Sequence, residues 1–484
     1  MSFVLVKSLS CQGLQAAQVS VEVLRSRGLS SLRLSGLADL ELRDSQDKIR
    51  ALVSRIGKWD TLDRILVNLL PAERVKNGAH LELPIALGCL AALSDFAPSN
   101  LMMELLERYT FVGALNLSGA LESTGSSRAL ELAYPDKVIG PLRFSSLAEL
   151  WQWLLDGNLP LPQQKIPPKP KAKFGIGNER VIGLEWERCW LSVAAIAELP
   201  VALIGPPGSG KSTLAKWAHQ LIPSPIEQVL FERQQILSLA GLVEDEAFSV
   251  SLTRPHSRTP LSEFIGTINR GLAKPGLFSL SHGGLLIMDE FLEFNRDCRE
   301  ILRTILDQKR VSRNTSQGSI SWPASFWLIA TMNPCSCGYA LSEIRSECLC
   351  APGDLRQYQA RFSGPILDRF GLCLFVDNQE SSGGNSRHIS FFPRGLLDED
   401  PERIQNRILK ARNDREGLLD EALGLCRQVP SFSRRSVREI MNKGKMLAAL
   451  SALSGQSLEF SLDMLIIQSA VSSRSLKAFG KHVA

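Results

Sequence analysis

The sequence predicts a multidomain α/β chain: an α+β domain over residues 1–160, a linker over 161–176, a parallel-sheet core over 177–378 and a helical domain over 379–484. Three observations carry this reading. The run from Val201 to Leu214, VALIGPPGSGKSTL, reads as a short apolar strand, a glycine-rich turn and a helix opening at Lys211. The run from Leu285 to Phe291, LLIMDEF, reads as a second buried strand that ends on two acids. Ahead of both, apolar and polar residues alternate as they do in half-buried strands. A chain of 484 residues has room for about three such domains.

In the first domain Val19, Val21 and Val23 alternate with polar residues, as do Leu32 and Leu34, and then Ile65, Val67 and Leu69 before Pro71. Residues 44–56 carry helical spacing through Ile49, Val53 and Ile56, and Leu83–Leu93 is an apolar helix around Pro84. No nucleophile–base pair stands out. His80, in a Gly-Ala-His turn, reads as a solvated loop residue. From Asn158 to Ile176 the chain is rich in proline and lysine with little to bury, which predicts a semi-rigid, solvated linker.

The core carries the chemistry. Gly205, Pro206, Pro207, Gly208, Ser209, Gly210, Lys211 and Ser212 fit G-x-x-x-x-G-K-[ST], and Thr213 follows as a further expected nucleotide contact. Glycines at those places let successive backbone N–H groups face one phosphate, and the helix N-terminus adds its positive dipole end. Lys211 is then expected at the β- and γ-phosphates and the Ser212 hydroxyl on Mg²⁺, so ATP and Mg²⁺ are the expected ligands. Strand C-termini in open α/β sheets face the ligand crevice. Asp289 is accordingly placed to hold Mg²⁺ through its water shell, and Glu290 to polarise the attacking water. Asn295 caps a helix through Lys309 with Ile301, Leu302, Ile305 and Leu306 on one face. Val311–Trp327 reads as a hairpin with Gly318 in its turn, Phe326–Thr331 as the next strand, and Asn333 follows it between the two phosphate-facing strands. After Asp377 come a loop over 378–387 and helices over Ile404–Ala411, Leu418–Val429, Ser436–Leu450 and Met464–Ser472.

Composition excludes some classes. No run approaches 18 apolar residues and MSFVLVKSLS has no long apolar segment, so a cytoplasmic chain without a membrane partner is expected. A formal charge of +5 permits nucleic-acid binding without arguing for it. Cys335-x-Cys337 and Cys348-x-Cys350, ten residues apart, suit a structural tetrahedral Zn²⁺. Reduced free thiols are the other reading, and a disulfide is disfavoured in that compartment.

At this point a resemblance becomes visible. GPPGSGKS, LSHGGLLIMDEFLEF, ATMNPCSCGY and RFSGPILDRFG resemble the magnesium-chelatase-like AAA+ ATPases of the ComM/YifB type. SCQGLQAAQVSVEV, LSGLADLELRDSQDKIRALV and VNLLPAERVKNGAHLELPIALGCLAAL are similar to that family's N-terminal domain, which shares the fold of the Lon protease domain (S5-like). The resemblance implies an AAA+ core and a C-terminal helical lid. It also implies Asn333 as sensor 1, Arg369 as the arginine reaching a neighbour's γ-phosphate, and Arg435, with Arg434 beside it, as the lid's sensor-2 arginine. It further implies a homo-oligomeric ring, usually hexameric, and ATP-driven branch migration of DNA during natural transformation. In such a ring the insert between Gly241 and His282, with Arg254, His256 and Arg258, is expected to line the pore together with Arg310 and Arg313. Charge would hold phosphate backbones there with little sequence reading.

The sequence departs from the family pattern in two places. The family's His-His pair stands here as Pro255-His256-Ser257, and Gly78–Glu82 lacks the serine of a Ser-Lys dyad, so the first domain is expected to be proteolytically inactive. Two other readings stay open: a chelatase-like ATPase that remodels a protein partner, and an ATP-binding scaffold. The Lon-like domain and the Asn333-Pro334-Cys335 run argue against the first, and the intact Glu290 and Arg369 against the second.

Overall fold

The computed structural model describes residues 2–36, 45–57, 59–71, 78–94, 100–156, 181, 183–242, 250–269, 272–315, 318–340, 348–376, 401–429, 437–454, 456–459, 461–462 and 465. The linker over 161–176, the loop over 378–387, Arg434, Arg435 and all but Leu465 of the helix expected over Met464–Ser472 lie outside them.

The first half contains β1 (Ser2–Gln12), β2 (Gln15–Arg27), β3 (Ser31–Ser35), α1 (Gln46–Ile56), β4 (Asp63–Leu70), α2 (Glu82–Leu93) and α3 (Asn100–Arg108). Short strands β5 (Thr110–Phe111), β6 (Ala114–Leu115), β7 (Leu121–Glu122), α4 (Gly125–Ala133), β8 (Val138–Ile139) and α5 (Leu147–Asp156) complete it. The main sheet runs β1-β2-β4-β3. It is antiparallel apart from the β3–β4 pair. Register puts Val4 opposite Val23 and Val6 opposite Val21, and next Val21 opposite Leu69 and Val23 opposite Val67. All of these are buried under α2, a helix without an exposed residue. Each such side chain removed from water contributes about 1.5–3 kcal/mol. Gly88 is what lets α2 approach, because a side chain there would collide with Val23.

One expectation fails in this half. His80 is not solvated but 1% exposed, with its Nε2 3.1 Å from the Leu9 carbonyl oxygen. Gly78, at a left-handed φ of 99°, reverses the chain so that the turn Ala79–Leu81 tucks beneath β1. Burial pulls the His80 pKa down to about 4, against the opposing effect of the Leu9 contact, so the ring is neutral near pH 7.

The second half begins with α6 (Glu185–Ala197), a buried helix the sequence reading did not assign. There follow β9 (Val201–Ile204), α7 (Lys211–Trp217), α8 (Glu227–Ala240), β10 (Leu252–Thr253), α9 (Leu261–Ile265), β11 (Thr267–Asn269), β12 (Leu272–Lys274) and α10 (Leu277–Leu280). Next come β13 (Leu285–Met288), α11 (Arg296–Gln308), β14 (Arg310–Thr315), β15 (Gly318–Pro323), β16 (Trp327–Met332), α12 (Pro352–Ala360), α13 (Gly364–Leu367) and β17 (Leu372–Phe375). The chain ends, among the described helices, with α14 (Pro401–Gln428) and α15 (Val437–Ser454).

The core sheet runs β10-β13-β16-β9-β17, parallel throughout. Alternate strand residues face opposite layers: Val201, Leu203, Leu285 and Ile287 pack toward α6, α14 and α15, while Ala202, Ile204, Leu286 and Met288 pack toward Phe264, Phe278 and Phe291. Burial on both faces is why these strands read as continuous apolar runs. Asn295 caps α11 by accepting from the Asp297 N–H at 3.1 Å, and Gly318 opens β15 opposite Thr315. The helices expected over Ile404–Ala411 and Leu418–Val429 are one helix, α14. Arg412 and Arg415 donate to the Ala195 and Ile196 carbonyls at 2.7 and 2.6 Å, and this anchorage sustains the helix through Gly417. The cost of one glycine in a helix interior is about 1 kcal/mol.

The two halves touch at two glycines: a side chain at Gly125 on α4 would collide with Ser238 on α8, and one at Gly13 would press on Ser321 of β15. Among the described residues, no helix is long and apolar enough to cross a membrane.

Candidate functional site

Four neighbouring strands, β10, β13, β16 and β9, end at one edge of the core sheet, and each hands a polar residue to that edge. After β9 the chain curls through Gly208 and Gly210, at left-handed φ values of 77° and 85°, and enters α7 at Lys211. At Gly205 a side chain would collide with the Val376 carbonyl, so the loop closes down on the exit of β17 only because this residue is glycine. The Lys211 ammonium lies inside the loop, donating to the carbonyls of Gly205 and Pro206 at 2.8 and 2.6 Å and to Ser209 Oγ at 3.4 Å. Burial lowers its pKa, opposed by the nearby Asp289 carboxylate.

The second residue of α7, Ser212, donates to both oxygens of Asp289, at 2.9 and 3.1 Å. Asp289 leaves β13 beside β16, where the Thr331 hydroxyl donates to Oδ1. Arg254, one residue past β10, donates to Oδ2. Partial burial would raise the Asp289 pKa, but the hydrogen bonds from Thr331, Arg254 and Ser212 outweigh it and hold the carboxyl below its ordinary range. Glu290 stands exposed at a left-handed φ of 54°, its N–H donating to Thr331 Oγ1 at 3.2 Å. A non-glycine residue in that backbone region is uncommon. Asn333, half-buried, follows β16, which lies between β13 and β9.

Thus Lys211, Ser212 and Asp289 are brought together, with Glu290 and Asn333 on the adjoining strand ends. Of the residues expected to line a pore, Arg254 is placed elsewhere, on Asp289. His256 and Arg258 line a cavity with Glu290 and Glu293, and the Arg258 N–H donates to His256 Nδ1 at 3.1 Å. Arg310 and Arg313 do sit on the β14–β15 hairpin, where Arg310 Nε donates to Ser321 Oγ at 2.9 Å and Arg313 Nη1 to the Gly266 carbonyl at 2.6 Å. Arg369 is paired within the chain, Nη2 to Asp307 Oδ2 at 2.8 Å, and the other Asp307 oxygen accepts from Arg438 at 2.6 Å. Thr331 escaped the sequence reading, although a hydroxyl inside the apolar run FWLIAT was a visible signal.

The four thiols of Cys335, Cys337, Cys348 and Cys350 lie within 4.8 Å of one another. Cys335 Sγ is 3.2 Å from Cys337 Sγ, which is 3.7 Å from Cys348 Sγ. Tetrahedral Zn–S bonds separate sulfurs by about 3.8 Å, so donor type and spacing both fit zinc. The cluster abuts the phosphate loop, since a side chain at Gly338 would collide with Pro207.

Comparisons with known proteins give the family to which the chain is similar. The family described as magnesium chelatase, subunit ChlI, matches residues 178–383, and subunit ChlI of Mg-chelatase matches residues 21–135. Uncharacterized protein YifB of Salmonella typhimurium is 30% identical over 399 residues, covering 78% of this chain and 76% of that one. Competence protein ComM of Haemophilus influenzae is 28% identical over 446 residues, covering 85% of this chain and 82% of that one.

Proposed function

We propose that this chain, which belongs to the ComM/YifB-type magnesium-chelatase-like family, is a Mg²⁺-dependent ATPase that works as a ring motor on DNA. The observation that carries the ATPase reading is the Ser212–Asp289 contact beside the Lys211 loop. A hydroxyl and an ionised carboxylate at hydrogen-bond distance are the donor set of a Mg²⁺ site that keeps its waters. Bound with ATP, Mg²⁺ supplies charge neutralisation on the β- and γ-phosphate oxygens. The chain's own groups do the rest. Lys211 exchanges its loop carbonyls for phosphate oxygens, Glu290 holds and polarises a water, and Asn333 orients it from the next strand end.

The assembly is part of the same reading. Arg369 leaves Asp307 to complete a neighbouring subunit's site in a hexamer, α14 and α15 belong to a C-terminal helical lid, and Arg435, outside the described residues, is that lid's sensor-2 arginine. The first half serves as a proteolytically inactive Lon-like domain. Arg310 and Arg313 on the hairpin contact DNA phosphates; Arg254 is not given that part. DNA as the substrate and branch migration of recombination intermediates as the work done follow from the family resemblance, and one relative is named a competence protein.

Steady-state ATP hydrolysis with and without single-stranded and forked DNA, at low and moderate salt, tests this. Stimulation by DNA that weakens with salt is the expected result. Turnover indifferent to every DNA would point to a protein-remodelling ATPase, and no turnover to a scaffold.

The cysteine cluster is proposed as a structural zinc site bracing the phosphate loop through Gly338. Purified protein should carry close to one zinc per chain by mass spectrometry, and a Cys348→Ser/Cys350→Ser double variant should lose it. A folded wild type without metal would return the cluster to free thiols.

A further inference from the structure

The two oxygens of Asp289 accept from Ser212, Thr331 and Arg254, and among these donors Arg254 alone carries charge. Its placement follows from topology. β10 is the edge strand that pairs directly with β13, with Leu252 opposite Leu285 and Thr253 opposite Leu286. The next residue, Arg254, therefore leaves the sheet alongside the strand that ends in Asp289. That pairing fixes the residue before it, whereas the Arg254 side chain is 43% exposed, so its path away from Asp289 leads into solvent. Ser212 and Thr331, by contrast, sit on α7 and β16 and are neutral donors compatible with a cation held on the same carboxylate.

A guanidinium and a hydrated Mg²⁺ make the same demand on Asp289: both take its lone pairs, and each repels the other. We propose that Arg254 is a gate on the metal-binding carboxylate, holding the Asp289 oxygen that Mg²⁺ approaches and leaving it when Mg²⁺–ATP is taken up. The gate makes Mg²⁺ and the Arg254 ion pair mutually exclusive. It also ties nucleotide loading to the segment that carries Arg254, including His256 and Arg258 beside Glu290. This rests on the nucleotide reading of the Lys211 loop.

The test uses the full-length chain, a fluorescent ATP analogue and a titration of free Mg²⁺, with binding rather than turnover as the readout. Arg254→Ala should lower the half-saturating Mg²⁺ concentration by roughly five- to tenfold, the low end of measured coupling between linked sites. Arg254→Lys, which keeps the charge but loses the planar fork, should fall between alanine and wild type. An unchanged half-saturation in Arg254→Ala would overturn the gate. A raised one would do so too, because it would assign Arg254 to the bound nucleotide itself. Wild-type protein with no Mg²⁺-dependent binding, or a Lys211→Ala variant binding like wild type, would instead overturn the nucleotide reading beneath it.

Discussion

Replacing Lys211 with alanine should remove nucleotide binding at working concentrations, raising Kd by roughly a hundredfold or more. Ammonium–phosphate hydrogen bonds are charge-assisted, and each 1.4 kcal/mol lost is about tenfold in Kd. The amine already lies inside the loop, on the carbonyls of Gly205 and Pro206. Reaching a phosphate means exchanging those carbonyls for charged oxygens, and the net gain is the difference between neutral and charge-assisted hydrogen bonds. Those same contacts mean that alanine leaves two loop carbonyls without their donor, and the loop could loosen for that reason alone. Thermal melting without nucleotide separates the two effects: an unchanged midpoint with lost affinity identifies Lys211 as a ligand contact. A folded variant that binds the fluorescent nucleotide as well as wild type would remove the phosphate-loop assignment altogether.

Much of this site was legible because its chemistry is local in sequence. G-x-x-x-x-G-K-S encodes its own turn, and an apolar run ending on two acids encodes a strand whose last residues face the crevice. Order along the sheet was less accessible, yet Asn333 could be placed because it follows the apolar run after the acid pair. What failed was local composition read without tertiary context. Gly-Ala-His looks like a surface turn, but the left-handed Gly78 folds it under β1 and burial leaves His80 neutral. Residues 404–411 and 418–429 read as two helices, but Arg412 and Arg415 fasten α14 to the end of α6 and one helix runs through both. Arg254 looked like one basic residue among several in an insert. Only the pairing of a two-residue edge strand with β13 shows that it stands on Asp289. Periodicity reports which face of an element is apolar; it carries no information on which distant carboxylate a long polar side chain meets.

Substituting Glu290 by glutamine should leave nucleotide binding intact and lower turnover by roughly 10²–10⁴-fold, the usual contribution of a positioned general base. Glutamine keeps the shape and one acceptor oxygen but cannot polarise or accept a proton from water. Asp289, Ser212 and Lys211, which the binding reading uses, are untouched by the change. The backbone argues that position 290 is specialised: its left-handed φ is unusual for a side chain of this size, and the Thr331 hydroxyl accepts from its N–H. Local strain of this kind persists where surrounding contacts fix it, often at functional sites. The comparison that decides the role is with Glu293, which lines the same cavity and is 3.2 Å from Arg361. If Glu290→Gln turned over like wild type while Glu293→Gln did not, the activating carboxylate would be Glu293. If both retained turnover, neither carboxylate would activate the water. A large loss confined to Glu290→Gln, with nucleotide still bound, is the pattern expected of a base at the end of β13.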